Sequence, residues 1–133
     1  MRITTEISGT ASASLVWARY VRPALWPTWS PQIRAVDCSD EVLRTGSVGV
    51  VHAILYVDVP FEVTEVDEQN RSWSWIARLP WGVRLRLRHT VQAEGDGVRT
   101  RLHLSGPLPV LLAYLPFARL ALLRLVRPVR ETQ

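Results

Sequence analysis

Apolar and polar positions along the chain change period twice. Ile3, Thr5 and Ile7 alternate with Thr4, Glu6 and Ser8, the period of a short strand that Gly9 ends. Ser12 then offers a helix cap. Val16, Trp17, Tyr20 and Val21 recur at helical spacing from about Ala13 to Arg22, and Pro23 stops the helix. Pro23, Pro27 and Pro31 fall every fourth residue, so Trp26 and Trp29 lie on at most one helical turn or in a tight connection. From Ile33 the period is two: Ile33–Cys38, Val48–Ala53, Pro60–Val66, Ser72–Arg78, Val83–Ala93 and Val98–Ser105 read as strands. Arg44-Thr-Gly46, Asp67-Glu-Gln-Asn70, Pro80-Trp-Gly82 and Glu94-Gly-Asp-Gly97 supply the turns. After Pro107 the helical period returns. Leu111, Tyr114, Leu115, Ala118, Ala121, Leu122, Leu125 and Val129 share one face, with Arg119, Arg124, Arg127 and Arg130 off it.

Connections this short join antiparallel neighbours. The order β-α-α-β-β-β-β-β-β-α therefore predicts an α+β domain spanning residues 1–133, a curved antiparallel seven-stranded sheet wrapped around a long C-terminal helix. A cavity remains wherever the side chains between sheet and helix fail to fill the space.

Composition narrows the chemistry. All sixteen basic residues are arginine, which excludes Schiff-base, pyridoxal and Walker-lysine chemistry. The single Cys38 excludes an internal disulfide and any multi-cysteine metal site. His52, Asp58 and Glu65 are too scattered to suggest a metal, and no glycine fingerprint or serine elbow appears, so neither metal nor cofactor is expected. Residues 37–68 carry eight carboxylates against Arg44 alone, and residues 71–130 carry eleven arginines against Glu94 and Asp96. Charge segregated in this way pairs across neighbouring strands, so the net +4 does not imply a nucleic-acid partner. Met1–Ser8 does not resemble an export signal, and Pro109, Pro116, Arg119 and Arg124 interrupt Leu108–Val126 as a membrane span. A soluble cytoplasmic protein is expected.

The candidate chemistry lies on inward faces. Val83, Leu85, Leu87, His89 and Val91 share one side of a strand whose other side carries Arg84, Arg86 and Arg88. His89 therefore points inward. There it is a hydrogen-bonded core residue, a ligand contact, or a neutral base for proton transfer near pH 7. Trp73 and Trp75 share a strand face that favours the interior. With Trp17, Tyr56, Phe61 and Tyr114 they line an aromatic pocket or fill a core, joined by Leu87, Leu102 and Leu111. Arg99 and Arg101 extend the outer arginine row, partly paired with Glu62 and Glu94. Trp81 occupies a loop tip. Leu120 and Leu123 lie off the buried stripe, where they suit a dimer interface, shallow attachment to an anionic membrane, or an ordinary surface.

The order of elements and several local motifs resemble the SRPBCC superfamily (START-like, helix-grip), and within it the bacterial polyketide cyclase/dehydrase-like group. Val16-Trp17, Trp26-Pro-Thr-Trp29-Ser-Pro31, Leu43-Arg-Thr-Gly46 and Val63-Thr-Glu-Val-Asp67 carry the resemblance. So do Ser72-Trp-Ser-Trp75, Arg88-His89-Thr-Val91 and Gly97-Val-Arg-Thr100. Arg22-Pro23 stands where an acidic residue is common, and the terminal helix is shorter and more apolar than the pattern. The resemblance implies a cavity holding a hydrophobic small molecule, polyketide-, steroid- or lipid-like. Two alternatives accompany it: a cyclase or dehydratase using His89, and an interaction protein with a filled core.

Overall fold

The structure is a computed structural model that describes residues 1–128. Its strands are β1 (Arg2–Gly9), β2 (Ile33–Cys38), β3 (Val48–Ala53), β4 (Asp58–Asp67), β5 (Ser72–Arg78), β6 (Arg84–Glu94) and β7 (Gly97–Ser105). The helices are α1 (Ala13–Val21), α2 (Trp26–Trp29) and α3 (Leu108–Leu125), with a single 3-10 turn at Pro23–Leu25 and tight hairpin tips at Ile54–Tyr56 and Pro80–Gly82. Val129 and Arg130, which the periodicity assigns to the terminal helix, lie outside the described residues.

All seven strands form one antiparallel sheet in the order β1-β7-β6-β5-β4-β3-β2, so only β1 leaves sequential order, pairing with β7. This is the expected α+β grip. Ser12 caps α1 as its spacing predicts, accepting from the Leu15 N–H at 3.1 Å. The sheet bends where β4 carries an extra residue between Val63 and Glu65, which returns Val66 to the inner face opposite Trp73.

α3 is long and apolar enough, by length and composition, to cross a membrane (mean hydropathy 1.6). Here Leu111, Ala118, Ala121, Leu122 and Leu125 are instead buried against the sheet and the first helices. Its C-terminal end is tied down from two sides. The Arg19 guanidinium donates to the carbonyls of Leu125 (2.6 Å) and Arg127 (2.7 Å), satisfying acceptors that the helix leaves open. Gly9 lets the chain pass so close that a Cβ there would lie 2.4 Å from the Val126 side chain.

Candidate functional site

Between the N-terminal half of α3 and the inner faces of β3 to β6 lies a cavity of about 360 Å³. It exists because small side chains meet there: Ala53, Ala77 and Ala113 line it, whereas Trp26, Trp73 and Phe61 fill the neighbouring half of the grip. The β6 alternation turns Leu85 and Leu87 into it and Arg84, Arg86 and Arg88 away. The exposed Leu55 and Phe117 also line it, so it opens to solvent between the β3–β4 loop and α3.

Its few polar groups gather on one wall. Gln32, Trp75 and Tyr114 line the cavity and also a second void of about 30 Å³, room for about one or two waters. The Gln32 Oε1 is buried with no hydrogen-bond partner among the described residues. The Gln32 side chain stands beside the Tyr114 hydroxyl, whose burial, partly offset by Gln32, pushes its pKa up to about 12. An unpaired buried carbonyl oxygen carries a desolvation cost that a bound donor would relieve.

His89 borders the smaller void, stacked on Trp73 (centroids 4.6 Å apart, planes at 11°) and touched by Tyr20 (4.8 Å). Trp75 Nε1 donates to His89 Nε2 at 3.1 Å. Indole N–H only donates, so Nε2 accepts and the ring proton resides on Nδ1, which is buried without a partner among the described residues. Burial, with a smaller contribution from the charge of His103, lowers the His89 pKa to about 3. The neutral ring is therefore the form favoured at pH 7. Its lone pair at Nε2 is engaged by the Trp75 indole, and what remains to offer is the Nδ1 N–H.

The predicted lining residues divide among five places. Leu87, Trp75 and Tyr114 line the cavity, and Trp73, His89 and Leu102 line the small void. Phe61 and Leu111 are buried in the packed core, Phe61 against Trp26 (5.5 Å) and Trp75 (5.6 Å). Trp17 faces a separate groove beside Val21, Val42 and Leu43. Tyr56 corrects the expectation outright. It is 87% exposed with φ 57°, because the chain turns left-handed at Leu55 and Tyr56 and carries the ring outward, where Arg34 lies 4.9 Å over it. Cys38 is half-buried at the end of β2.

The outer face behaves differently from its sequence. Arg99 pairs with Glu94, Arg101 with Glu6 and Arg78 with Glu62, while Arg84, Arg86 and Arg88 have no acidic partner among the described residues. Sheet register also joins His52 to Asp37 (2.7 Å) and Asp58 (2.8 Å), raising the histidine pKa through both hydrogen bonds. His52 and Asp58 had looked scattered, and Asp37 carried no signal; no metal-capable cluster exists among the described residues.

A curved antiparallel sheet closed by a C-terminal helix over an apolar cavity defines the helix-grip class. Residues 1–129 match the family described as polyketide cyclase / dehydrase and lipid transport, and the chain belongs to that family. At family level this supports binding of hydrophobic ligands. No curated protein matches the chain in sequence. Among solved structures, Ara h 8.0201 superposes with TM-score 0.75 at 12% identity, over 94% of each chain. The hypothetical protein jhp0584 from Helicobacter pylori gives 0.80 at 14%, over 95% of this chain and 86% of that one. The di-domain ARO/CYC BexL of the BE-7585A biosynthetic pathway gives 0.80 at 17%, over 95% of this chain and 45% of BexL. At these identities the likeness concerns the fold.

Proposed function

We propose that the protein binds one small hydrophobic molecule in the cavity under α3, with a single polar group of the ligand directed at the Gln32–Tyr114 wall. The observation that carries this reading is the unpaired Gln32 Oε1 on the wall of an otherwise apolar cavity of about 360 Å³. Such a volume belongs at the small end of ligand pockets, roughly 300–1,000 Å³, and suits a compact polyketide-, steroid- or lipid-like molecule that can donate a hydrogen bond. A filled-core interaction protein would not keep this space. Cyclase or dehydratase chemistry through His89 is disfavoured by the engaged Nε2. His89 serves instead to fix the Trp75 indole that forms part of the wall.

Titration with anilinonaphthalene sulfonate, followed by displacement with a panel of apolar phenols and ketones, tests the reading. Dye fluorescence should rise and be displaced more strongly by the hydroxylated members. Gln32→Leu should erase that preference while retaining dye. Absence of any dye binding would sink the proposal.

A further inference from the structure

Two hairpin tips put large apolar side chains where both solvent and backbone disfavour them. The Ala53 N–H donates to the Val57 carbonyl (2.7 Å) and the Leu79 N–H to the Val83 carbonyl (2.8 Å), so each tip closes over three residues. In each, the second and third residues are left-handed: Leu55 (φ 62°) and Tyr56 (φ 57°) in one, Trp81 (φ 64°) and Gly82 (φ 74°) in the other. Glycine and asparagine suit such positions, and bulky side chains are outliers there. Trp81 is nevertheless 96% exposed and Leu55 85%.

Strand register brings these tips together. The N-terminus, the β3–β4 and β5–β6 tips and the start of α3 all lie at one end of the sheet. Met1, Ile54, Leu55, Tyr56, Trp81 and Leu108 are exposed at that end, beside the opening of the cavity. Arg2, Arg34 and Arg84 accompany them with no ion-pair partner among the described residues, while Asp58 is held by His52. The hairpin turns at the opposite end carry Asp40, Glu41, Asp67, Glu68, Glu94 and Asp96. Apolar tips with aromatic rings, flanked by arginines and free of unpaired acids, match a bilayer interface of negative charge.

We infer that this end of the molecule docks on an anionic membrane surface. Trp81, Leu55 and Tyr56 enter the headgroup region, so the cavity loads from or discharges into the bilayer. The inference rests on the ligand-binding reading for its purpose, and on the tips alone for its geometry.

Vesicles of phosphatidylglycerol with phosphatidylcholine, against phosphatidylcholine alone, test it. Trp17, Trp26, Trp29, Trp73 and Trp75 are buried, so a blue shift in emission on mixing reports Trp81. We expect a shift with anionic vesicles, weakened by salt, and absent in Trp81→Phe, which still cosediments. Tyr56→Glu with Trp81→Glu should lower partitioning by at least about tenfold, and Arg84→Gln by about fivefold. None of these residues lines the cavity, so dye binding should persist; its loss in wild type would refute the ligand reading and leave the docking result standing. The inference is overturned by any of four results. Wild type ignores anionic vesicles. The tip variants cosediment undiminished, or Leu120→Glu with Leu123→Glu alone abolishes binding. Wild type sediments as a dimer that the tip substitutions dissolve, without vesicle binding.

Discussion

Replacing Ala77 with leucine extends an inner-face side chain of β5 between Phe61 of β4 and Leu85 of β6, into the wall of the cavity. The change adds about three buried methylene equivalents at about 0.8 kcal/mol each, an upper limit near 2.4 kcal/mol if all of them leave water. Because the cavity opens past Leu55 and Phe117, part of the new surface stays wet, and a gain of about 1–2 kcal/mol is expected. A packed interior gives the opposite sign, since forcing a larger side chain into filled space costs about 1–3 kcal/mol. Urea denaturation reads the sign directly, provided the slope with denaturant is unchanged. The same variant should bind anilinonaphthalene sulfonate at least about tenfold more weakly, since the added atoms occupy the ligand's volume. Destabilisation with normal dye binding would show that Ala77 faces no cavity. Stabilisation with normal dye binding would place the ligand elsewhere.

Four further substitutions probe the supporting structure. His89 has a folded pKa of about 3 against 6.5 for the free group, so between these values only the unfolded chain takes the proton. Stability should therefore rise with pH across that window by up to about 1.4 kcal/mol per unit, and His89→Phe should remove that slope, measured by urea midpoints from about pH 4 to 7. An unchanged slope would refute the burial argument. His52 acts with the opposite sign: its raised pKa stabilises below the ordinary histidine range and is lost as pH rises through the folded value, so His52→Gln should flatten the decline on the alkaline side. Gly9→Ala, whose Cβ would meet the Val126 side chain at 2.4 Å, should cost about 1–3 kcal/mol and lower the melting temperature. Trp81→Asn should stabilise by about 1 kcal/mol by relieving the left-handed backbone, while losing the vesicle response; no stabilisation would mean the tip holds no strain.

The elements were legible where a local pattern had only one reading. In β6, three arginines cannot share a dry core, so Arg84, Arg86 and Arg88 fixed the phase of the whole strand and turned His89 inward. Ser12 announced α1, and the apolar stripe announced the buried side of α3. Tyr56 went astray because its loop lacks the glycine or asparagine that marks a left-handed turn, so nothing local set it apart from the inward aromatics with which it was grouped. The remaining misses depend on partners distant in the chain. Arg19 reaches carbonyls 106 and 108 residues away, and Arg119, placed off the buried stripe by its angle, bonds Thr5 on β1. His52 meets two acids only through the register of three strands.

The division of labour within the grip follows from where side-chain volume is placed. Beyond Pro116, α3 presents Ala118, Ala121, Leu122 and Leu125 to a packed interior, and Arg19 and Gly9 hold that end in place. Before Pro116, Val110, Ala113 and Tyr114 span a gap that the alanines of β3 and β5 leave open. The proline has no N–H to donate to the Leu112 carbonyl, so α3 lacks a backbone bond at the join between its anchored half and the half that roofs the cavity. Leu112 and Pro116 are exposed, which lets water satisfy that carbonyl at small cost. The half beyond Pro116 thus stabilises the fold through burial, while the half before it buries Leu111 and turns Val110, Ala113 and Tyr114 toward the cavity. Two of the buried polar atoms without a partner among the described residues, Gln32 Oε1 and His89 Nδ1, lie at the boundary between the two.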